Sequence, residues 1–216
     1  MNIIRFFLVV CILSISRLNG QYTKEDWPDR DQWMKTETLL TLSGIQIGYK
    51  VADIGCHEGY LSMHLAKKVS MDGRVYAVDV RSDRLETLRI TANERGHKSV
   101  ITILGDYDDP KLPKSELDIV FIIDTYHEIE AYEKVLRLVK SGLKPNGKIM
   151  ILEKLKKRVK GKSREEQVAA HSLSMGYVKK ELKQAGFTIT SEIANHGKWE
   201  REEDKQMWVV LAQKLE

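Results

Sequence analysis

Apolar residues along this chain occur in short runs, and most of these runs are separated by stretches with an apolar residue every three or four positions. Short apolar runs bounded by turn residues predict buried strands, and the longer spacing predicts amphipathic helices. The predicted strands are Val51 to Ile54, Arg74 to Val80, Val100 to Leu104, Leu117 to Ile123, Lys148 to Leu152, Phe187 to Ile193 and Gln206 to Ala212. The predicted helices are Asp31 to Leu42, Tyr60 to Val69, Ser82 to Gly96, Tyr132 to Leu143 and Ser174 to Gln184.

This alternation predicts an α/β fold, a doubly wound, mostly parallel seven-stranded sheet of the Rossmann-like kind. The last two predicted strands differ from the others, because only a charged loop containing NHGKWEREED joins them. A polar connection without a helix favours an antiparallel pair at the C-terminal end of the chain.

The segment VADIGCHEGY places a glycine turn between the first strand and its helix. Backbone amides at such a turn can face a polar ligand. Dinucleotide-binding folds usually read GxGxxG here, whereas Gly55 and Gly59 are spaced GxxxG and follow Asp53. Flanking acids repel a pyrophosphate and suit a ligand that carries an amine and a sulfonium. A nicotinamide oxidoreductase is therefore the less favoured reading.

Acidic residues follow most of the predicted parallel strands. Asp53, Asp79, Asp106 and Asp124 lie at or just beyond the first four strand ends, and Glu153 follows the fifth. Carboxyl ends of parallel strands meet at one edge, where such sheets bind ligands. Single acids there are often helix caps or solvated loop residues, but the whole set predicts a site.

The composition is that of one globular α/β domain. The 216 residues are 42% hydrophobic and 31% charged, with a net charge of +4. Residues 1–20 combine an early arginine, an apolar stretch and a small residue before Gln21. They are predicted to be a secretory signal peptide, with an uncleaved anchor as the alternative. The protein would then be exported, with the domain over residues 21–216, a polar arm over 21–32 and no further membrane span.

Five motifs in this order resemble those of class I S-adenosylmethionine-dependent methyltransferases, particularly small single-domain bacterial members. They are DIGCHEGYLSMHLAKKV, VYAVDV, LGDYDDPKLP, LDIVFIIDTYHEI and LKPNGKIMILE. The similarity runs from about Trp33 to Ala212 and implies S-adenosylmethionine as cofactor. It implies no metal ion.

The resemblance also implies roles for individual residues. Asp53, Gly55, Cys56 and Gly59 would line the methionine part of the cofactor, Asp79 would bind the ribose hydroxyls, and Asp106 with Tyr107 would flank the adenine. Asp124 would lie beside the sulfonium, His127 would act as a base, and Tyr126 and His171 would bind the acceptor.

Three of these assignments have simpler alternatives, and the one for His171 is a cap of the last predicted helix. A base is needed only when the acceptor carries a proton that must leave. The alternative role of His127 is to order the segment after Asp124 by hydrogen bonding. Cys56 is interpreted as a small side chain filling the turn rather than a reactive thiol.

His57 departs from the family pattern, which usually has glycine at that position (DIGCGxGY). A side chain there could crowd the cofactor, and glycine tolerates more backbone conformations. We expect the substitution to be tolerated.

Seven of the eleven residues from Lys154 to Arg164 are Lys or Arg. This basic segment is predicted to be a flexible, solvated loop, because no aromatic residues interleave for base stacking. The favoured function is methylation of a small molecule. The alternatives are an RNA or protein methyltransferase that uses the basic segment, and an exported, non-catalytic binding protein. Trp27 and Trp33 are predicted either to cover the site or to pack against the sheet.

Overall fold

The computed structural model describes residues 26–215. The predicted signal peptide and the first residues of the predicted arm lie outside this part of the chain. The seven strands are β1 Lys50–Ile54, β2 Arg74–Asp79, β3 Val100–Leu104, β4 Leu117–Ile123, β5 Leu143–Lys156, β6 Phe187–Lys198 and β7 Lys205–Lys214. The α-helices are α1 Trp27–Met34, α2 Thr36–Ser43, α3 Tyr60–Val69, α4 Ser82–Glu94, α5 Tyr132–Gly142, α6 Arg164–Ala169 and α7 Met175–Gln184.

The strands form one sheet in the order β3-β2-β1-β4-β5-β7-β6. Strands β1 to β5 are parallel to their neighbours within that group, and β7 runs antiparallel to both β5 and β6. The predicted mixed sheet with an antiparallel C-terminal pair is confirmed. The strand order reverses between β1 and β4, which is where an open α/β sheet forms its ligand crevice.

Both faces of the sheet are covered, because successive side chains of a strand point to opposite faces. In β4, Phe121 packs into a core with α1 to α4, and its neighbour Ile122 packs into a second core with α5 and α7. This explains why β4 is a nearly continuous apolar run in the sequence. None of the helices in residues 26–215 is long and apolar enough to cross a membrane.

The predicted helix from Asp31 to Leu42 is wrong, because two helices occupy this region and meet at Lys35. Lys35 has a left-handed backbone with φ of 52°. The carbonyl of Met34, the last residue of α1, accepts a hydrogen bond from His196 Nε2 at 2.7 Å. The Trp33 ring packs edge-on against the Trp199 ring, with 4.7 Å between the ring centres. Contacts with the C-terminal hairpin therefore hold α1 apart from α2, and the latter part of the predicted arm is a packed helix.

The basic segment, predicted to be a flexible, solvated loop, is held in regular structure at both ends, whereas residues 157–163 between them form a mostly exposed turn. Strand β5 continues through Lys156, paired with β7 along its whole extension. Lys154 is buried, and Lys156 donates from Nζ to the carbonyl of Ala170. Arg164 begins α6 and forms an ion pair with Glu181. Strand pairing, which the charge pattern does not reveal, orders the first three residues of this segment.

Candidate functional site

A cavity of about 1060 Å³ lies along the carboxyl ends of the central strands, at the point where the strand order reverses. One end is formed by the turn after β1 together with the ends of β2 and β3, and we call it the glycine-turn end. The other is formed by residues that follow β4, by the extension of β5, by His171 and by Trp199, and we call it the His127 end. Each predicted site residue except Gly59 and Tyr126 lines this one cavity.

The backbone shapes the glycine-turn end. Gly55 and Gly59 have positive φ angles of 75° and 92°. A Cβ added to Gly55 would lie 2.3 Å from the side chain of Thr125, and one added to Gly59 would lie 2.7 Å from Leu88. Both positions therefore need glycine for space as well as for conformation. Gly59 supports the turn from behind, packed on α4, rather than lining the cavity.

His57 occupies the turn in a left-handed conformation with φ of 51°. Its amide donates a hydrogen bond to Asp79 Oδ2 at 2.9 Å. Burial, followed by the nearby charge of Arg84, lowers the pKa of His57 to about 4. The side chain is therefore neutral at pH 7, and it fits the turn with the backbone geometry that a glycine would adopt.

Two carboxylates lie below the turn. Asp53 is buried and accepts a hydrogen bond from Ser62 Oγ at 2.6 Å, and burial raises the pKa of Asp53 to about 6. Asp79 accepts backbone hydrogen bonds from His57 and Arg81. A carboxylate has about four acceptor positions, so Asp79 keeps capacity for a further donor such as a hydroxyl.

Cys56 is buried between these acids, with Sγ 3.6 Å from the carbonyl of His57. Burial, together with the charges of Asp53 and Asp79, raises the pKa of the Cys56 thiol well above its usual value. Such a thiol stays protonated at neutral pH, which agrees with a packing role.

Asp106 and Tyr107 lie at the rim of the glycine-turn end. Asp106 is exposed and forms an ion pair with Lys111 at 3.1 Å. The side chain of Tyr107 is 83% exposed. Both residues line the cavity at its solvent-exposed margin.

Buried charges shape the His127 end. Asp124, directly after β4, forms an ion pair with Lys154 of the extended β5. Burial and then the charge of Glu153 raise the pKa of Asp124 to about 6, and Lys154 opposes this effect. The Lys154 ammonium also lies 4.6 Å from the centre of the Trp199 ring.

His127 lies beside this pair, and its side chain is almost completely buried. Its Nδ1 is 2.9 and 3.0 Å from the two oxygens of Glu153, and its backbone amide donates to the same carboxylate. Burial lowers the pKa of His127, but the charge of Glu153 and the hydrogen bond to it outweigh burial, so the net pKa is raised. Because Glu153 accepts from Nδ1, the second ring nitrogen, Nε2, is the one left for other partners.

The structure separates the two predicted acceptor-binding residues. His171 is exposed and lines the cavity, with its ring centre 5.9 Å from that of His127. The assignment of Tyr126 is wrong: its side chain is completely buried in the core beside α5 and α7, and its hydroxyl donates to Glu181 at 2.8 Å. In the short turn after β4, the Tyr126 side chain points into the core, whereas Asp124, His127 and Glu128 line the cavity.

Sequence reasoning missed the roles of three residues around the cavity, namely Glu153, Lys154 and Arg30. Glu153 was recognised as a strand-end acid but not as the partner of His127, and Lys154 was assigned to a solvated loop. Trp27 and Arg30 of α1 also line the cavity, and the Arg30 guanidinium lies 4.1 Å from the centre of the Tyr60 ring. Trp27, Trp33 and Met34 are apolar residues in an otherwise polar stretch, and they are the local sequence signal for this helix.

A sequence profile described as "Methyltransferase domain" matches residues 45–207. The chain belongs to this family. The predicted class I S-adenosylmethionine-dependent methyltransferase is thereby confirmed at the level of family and fold, and the matched region contains both ends of the cavity except α1.

Individual relatives are more distant. (S)-coclaurine N-methyltransferase of Thalictrum flavum subsp. glaucum is 26% identical over 65% of this chain and 39% of its own length. The ubiquinone/menaquinone biosynthesis C-methyltransferase of Idiomarina loihiensis is 28% identical over 53% of this chain and 46% of its own. The chain thus spans less than half the length of these two relatives.

A methyltransferase from Aquifex aeolicus, described as SAM dependent, has the same fold. Its crystal structure superposes with a TM-score of 0.74 and 24% identity, covering 90% of this chain and 100% of the other.

The methyl donor of this family is S-adenosylmethionine, and the residues present fit it. The glycine turn provides a backbone cradle that a Cβ at Gly55 would fill. Two carboxylates, Asp53 and Asp79, lie at the same end and suit the amine and hydroxyl groups of that cofactor rather than a phosphate chain.

Proposed function

We propose that this protein transfers a methyl group from S-adenosylmethionine to a small-molecule acceptor. The observation that carries the proposal is the continuity of one cavity, with carboxylates and a glycine cradle at one end and the buried His127 at the other. Its volume of about 1060 Å³ is at or above the roughly 300–1,000 Å³ of a pocket for one ligand. It has room for a donor and a small acceptor together.

The glycine-turn end would hold the donor. Gly55 allows close backbone approach, Asp53 would attract its ammonium group, and Asp79 has acceptor capacity for the ribose hydroxyls. Bound there, the cofactor supplies a methyl group on a positively charged sulfur. Positioning the two reactants then accounts for much of the rate, because an oriented pair reacts far faster than free molecules.

The His127 end would hold the acceptor. Nε2 of His127 can accept a proton from an acceptor hydroxyl or amine. The Glu153 carboxylate would stabilise the imidazolium that results, which is the same interaction that raises the pKa of His127. Asp124, also at the His127 end, would add negative charge near the sulfonium of the donor.

A small acceptor is favoured because the polar groups that would act on it are deep. His127 is 4% and Lys154 7% exposed, and Trp27 of α1 also lines the cavity. The names of the curated relatives also point to small acceptors, (S)-coclaurine and ubiquinone or menaquinone precursors.

The export of the protein stays a prediction, because residues 1–20 lie outside the described part of the chain. If the protein is exported, its access to S-adenosylmethionine is the main argument for a non-catalytic binding role.

The proposal is tested with the purified full chain. Calorimetric titration with S-adenosylmethionine should give one site per chain, and Asp79→Asn should weaken it at least tenfold. Methyl-labelled donor is then incubated with a small-molecule extract of the producing cells, with total RNA and with total protein.

Label should appear in the small-molecule fraction, with one S-adenosylhomocysteine formed per methyl group transferred. Label in RNA or protein would overturn the small-molecule assignment. Donor binding without any transfer would favour the binding protein, and no heat at millimolar donor would overturn the proposal entirely.

A further inference from the structure

Three side chains with metal-binding atoms converge at the His127 end. They are His127, Glu128 and His171, and one ligand atom from each lies within 4.8 Å of the other two. Nε2 of His127 is 3.9 Å from Glu128 Oε1. The first two residues belong to the short turn after β4 and the third precedes α7, so the tertiary fold brings them together.

His127 is prepared as a ligand. Its Nδ1 hydrogen bonds to Glu153, whose side chain is completely buried, and this bond holds both the ring orientation and the tautomer. Metal-ligating histidines commonly donate their other ring N–H to a carboxylate in this way, which makes the free nitrogen a better ligand. Nε2 is that nitrogen here.

The other two side chains can move onto an ion at low cost. Glu128 and His171 are exposed, whereas His127 is buried. Ligand atoms around a tetrahedral ion with bonds of about 2.0–2.1 Å are separated by about 3.3 Å. His127 Nε2 and Glu128 Oε1 lie about 0.6 Å farther apart than this, and no pair of the three ligand atoms exceeds it by more than about 1.5 Å, which rotations of two exposed side chains can close.

The local charge also suits a divalent cation. Glu128, Glu153 and Asp124 are three carboxylates around His127, and Lys154 is one ammonium, so their formal charges sum to −2. A second grouping, Asp124, His127 and Glu153, is less suitable, because Lys154 and His127 already occupy its carboxylates.

We propose that His127, Glu128 and His171 form a two-histidine, one-carboxylate site for a divalent transition metal ion at the acceptor end of the cavity. This ligand set leaves coordination positions open. They would face the cavity, so the site would take an oxygen-bearing acceptor. An ion on Nε2 would replace His127 as the group that makes the acceptor hydroxyl easier to ionise. The metal site goes beyond methyl transfer and does not depend on it, since an ion can bind without the donor.

The test uses the full chain after chelator treatment and desalting. Titration with Co²⁺ should give the visible absorption of a low-coordinate ion and saturate at one equivalent, and Zn²⁺ should displace it. His171→Ala and Glu128→Ala should each weaken binding at least tenfold. Glu153→Gln keeps the shape of the side chain but loses its charge, and should weaken binding about 10–100-fold. His97→Ala, a histidine outside the cavity, is the matched control and should change nothing.

No saturable binding at submillimolar ion, or binding that His171→Ala leaves unchanged, would overturn the site. Both substituted ligands are exposed, so circular dichroism should report an intact fold. Titrating S-adenosylmethionine into the same samples separates the two proposals. Intact donor binding with no metal binding removes only the metal site, and intact metal binding with no donor binding removes only the proposed methyl transfer.

Discussion

At the glycine-turn end the backbone shapes the cavity, whereas at the His127 end buried ionisable side chains do. Gly55 and Gly59 are required because any Cβ would collide with Thr125 or Leu88. At the other end, Lys154 and Glu153 hold Asp124 and His127 in place. The first end depends on the absence of side chains and the second on their charges.

This difference separates the constraints on the two halves of the site. A steric constraint acts at any pH and tolerates no added atom. A substitution of Gly55 or Gly59 should therefore abolish donor binding outright. A network of charges responds to pH and to the loss of one partner, but it can adjust by binding or releasing a proton. Loss of one charged partner at the His127 end should therefore have a smaller effect, which depends on pH.

The largest effect is expected from Gly55→Ala. The added Cβ would lie 2.3 Å from Thr125, so overpacking costs about 1–3 kcal/mol and the positive φ about 1–2 kcal/mol more. Urea unfolding should show the loss of stability, and calorimetry should show a loss of donor binding.

Gly96→Ala is the matched control for this change. Gly96 has a similar φ of 70°, but nothing lies within 4 Å of its added Cβ. Gly96→Ala should lose only the stability that a positive φ costs a residue with a Cβ, about 1–2 kcal/mol, and it should keep donor binding. Equal losses in the two variants would contradict the steric argument. Thr125→Ala should partly rescue Gly55→Ala, because two of the three colliding atoms are removed.

A smaller effect is expected from Lys154→Met, which removes the partner of Asp124. At pH 7 the variant should be about 2 kcal/mol less stable, because an unpaired buried carboxylate is costly, although protonation limits the loss. The pKa of Asp124, which NMR can follow, should rise above its present value of about 6. Lys157→Met, an exposed lysine of the same basic segment, is the control and should change stability by less than about 0.5 kcal/mol. Equal losses of stability in the two variants would contradict the buried ion pair between Lys154 and Asp124.

The smallest effect is expected from His57→Gly, which should keep donor binding intact. The folded pKa of His57 is about 4, below the usual value of 6.5. As the pH falls, His57 is therefore protonated in the unfolded chain before it is protonated in the folded protein. The stability contributed by neutral His57 is present above pH 6.5 and is lost as the pH falls toward 4. Because the ring is only half-buried, the loss is on the order of 1 kcal/mol at pH 5.

Without His57 this loss is absent, so the stability of His57→Gly relative to the parent should rise as the pH falls from 7 to 5. Thermal unfolding at several pH values measures the difference. A constant difference across this range would mean that His57 titrates as an ordinary exposed histidine.

Much of the sheet was predictable because each central strand is a local apolar run. Strand β4, Leu117–Ile123, has the predicted bounds, and the antiparallel pair follows from the absence of a helix between its strands. The ends of β5, β6 and β7 were not predictable, because their extensions are polar and are held by pairing with one another. The break between α1 and α2 likewise depends on His196, which is 162 positions from Met34 in the sequence.

Local sequence determined where the glycine turn lies, because the strand, the turn and the acid are consecutive, but the steric demand on Gly55 comes from Thr125, which only the tertiary structure brings close. It also determined that His127 would follow β4 near the cavity. Only the tertiary structure decided that Glu153 would orient His127, that Lys154 would be buried against Asp124, and that His171 would lie beside them. These contacts join residues 26 to 44 positions apart, and charge pairing across such separations leaves no periodic signal in a sequence.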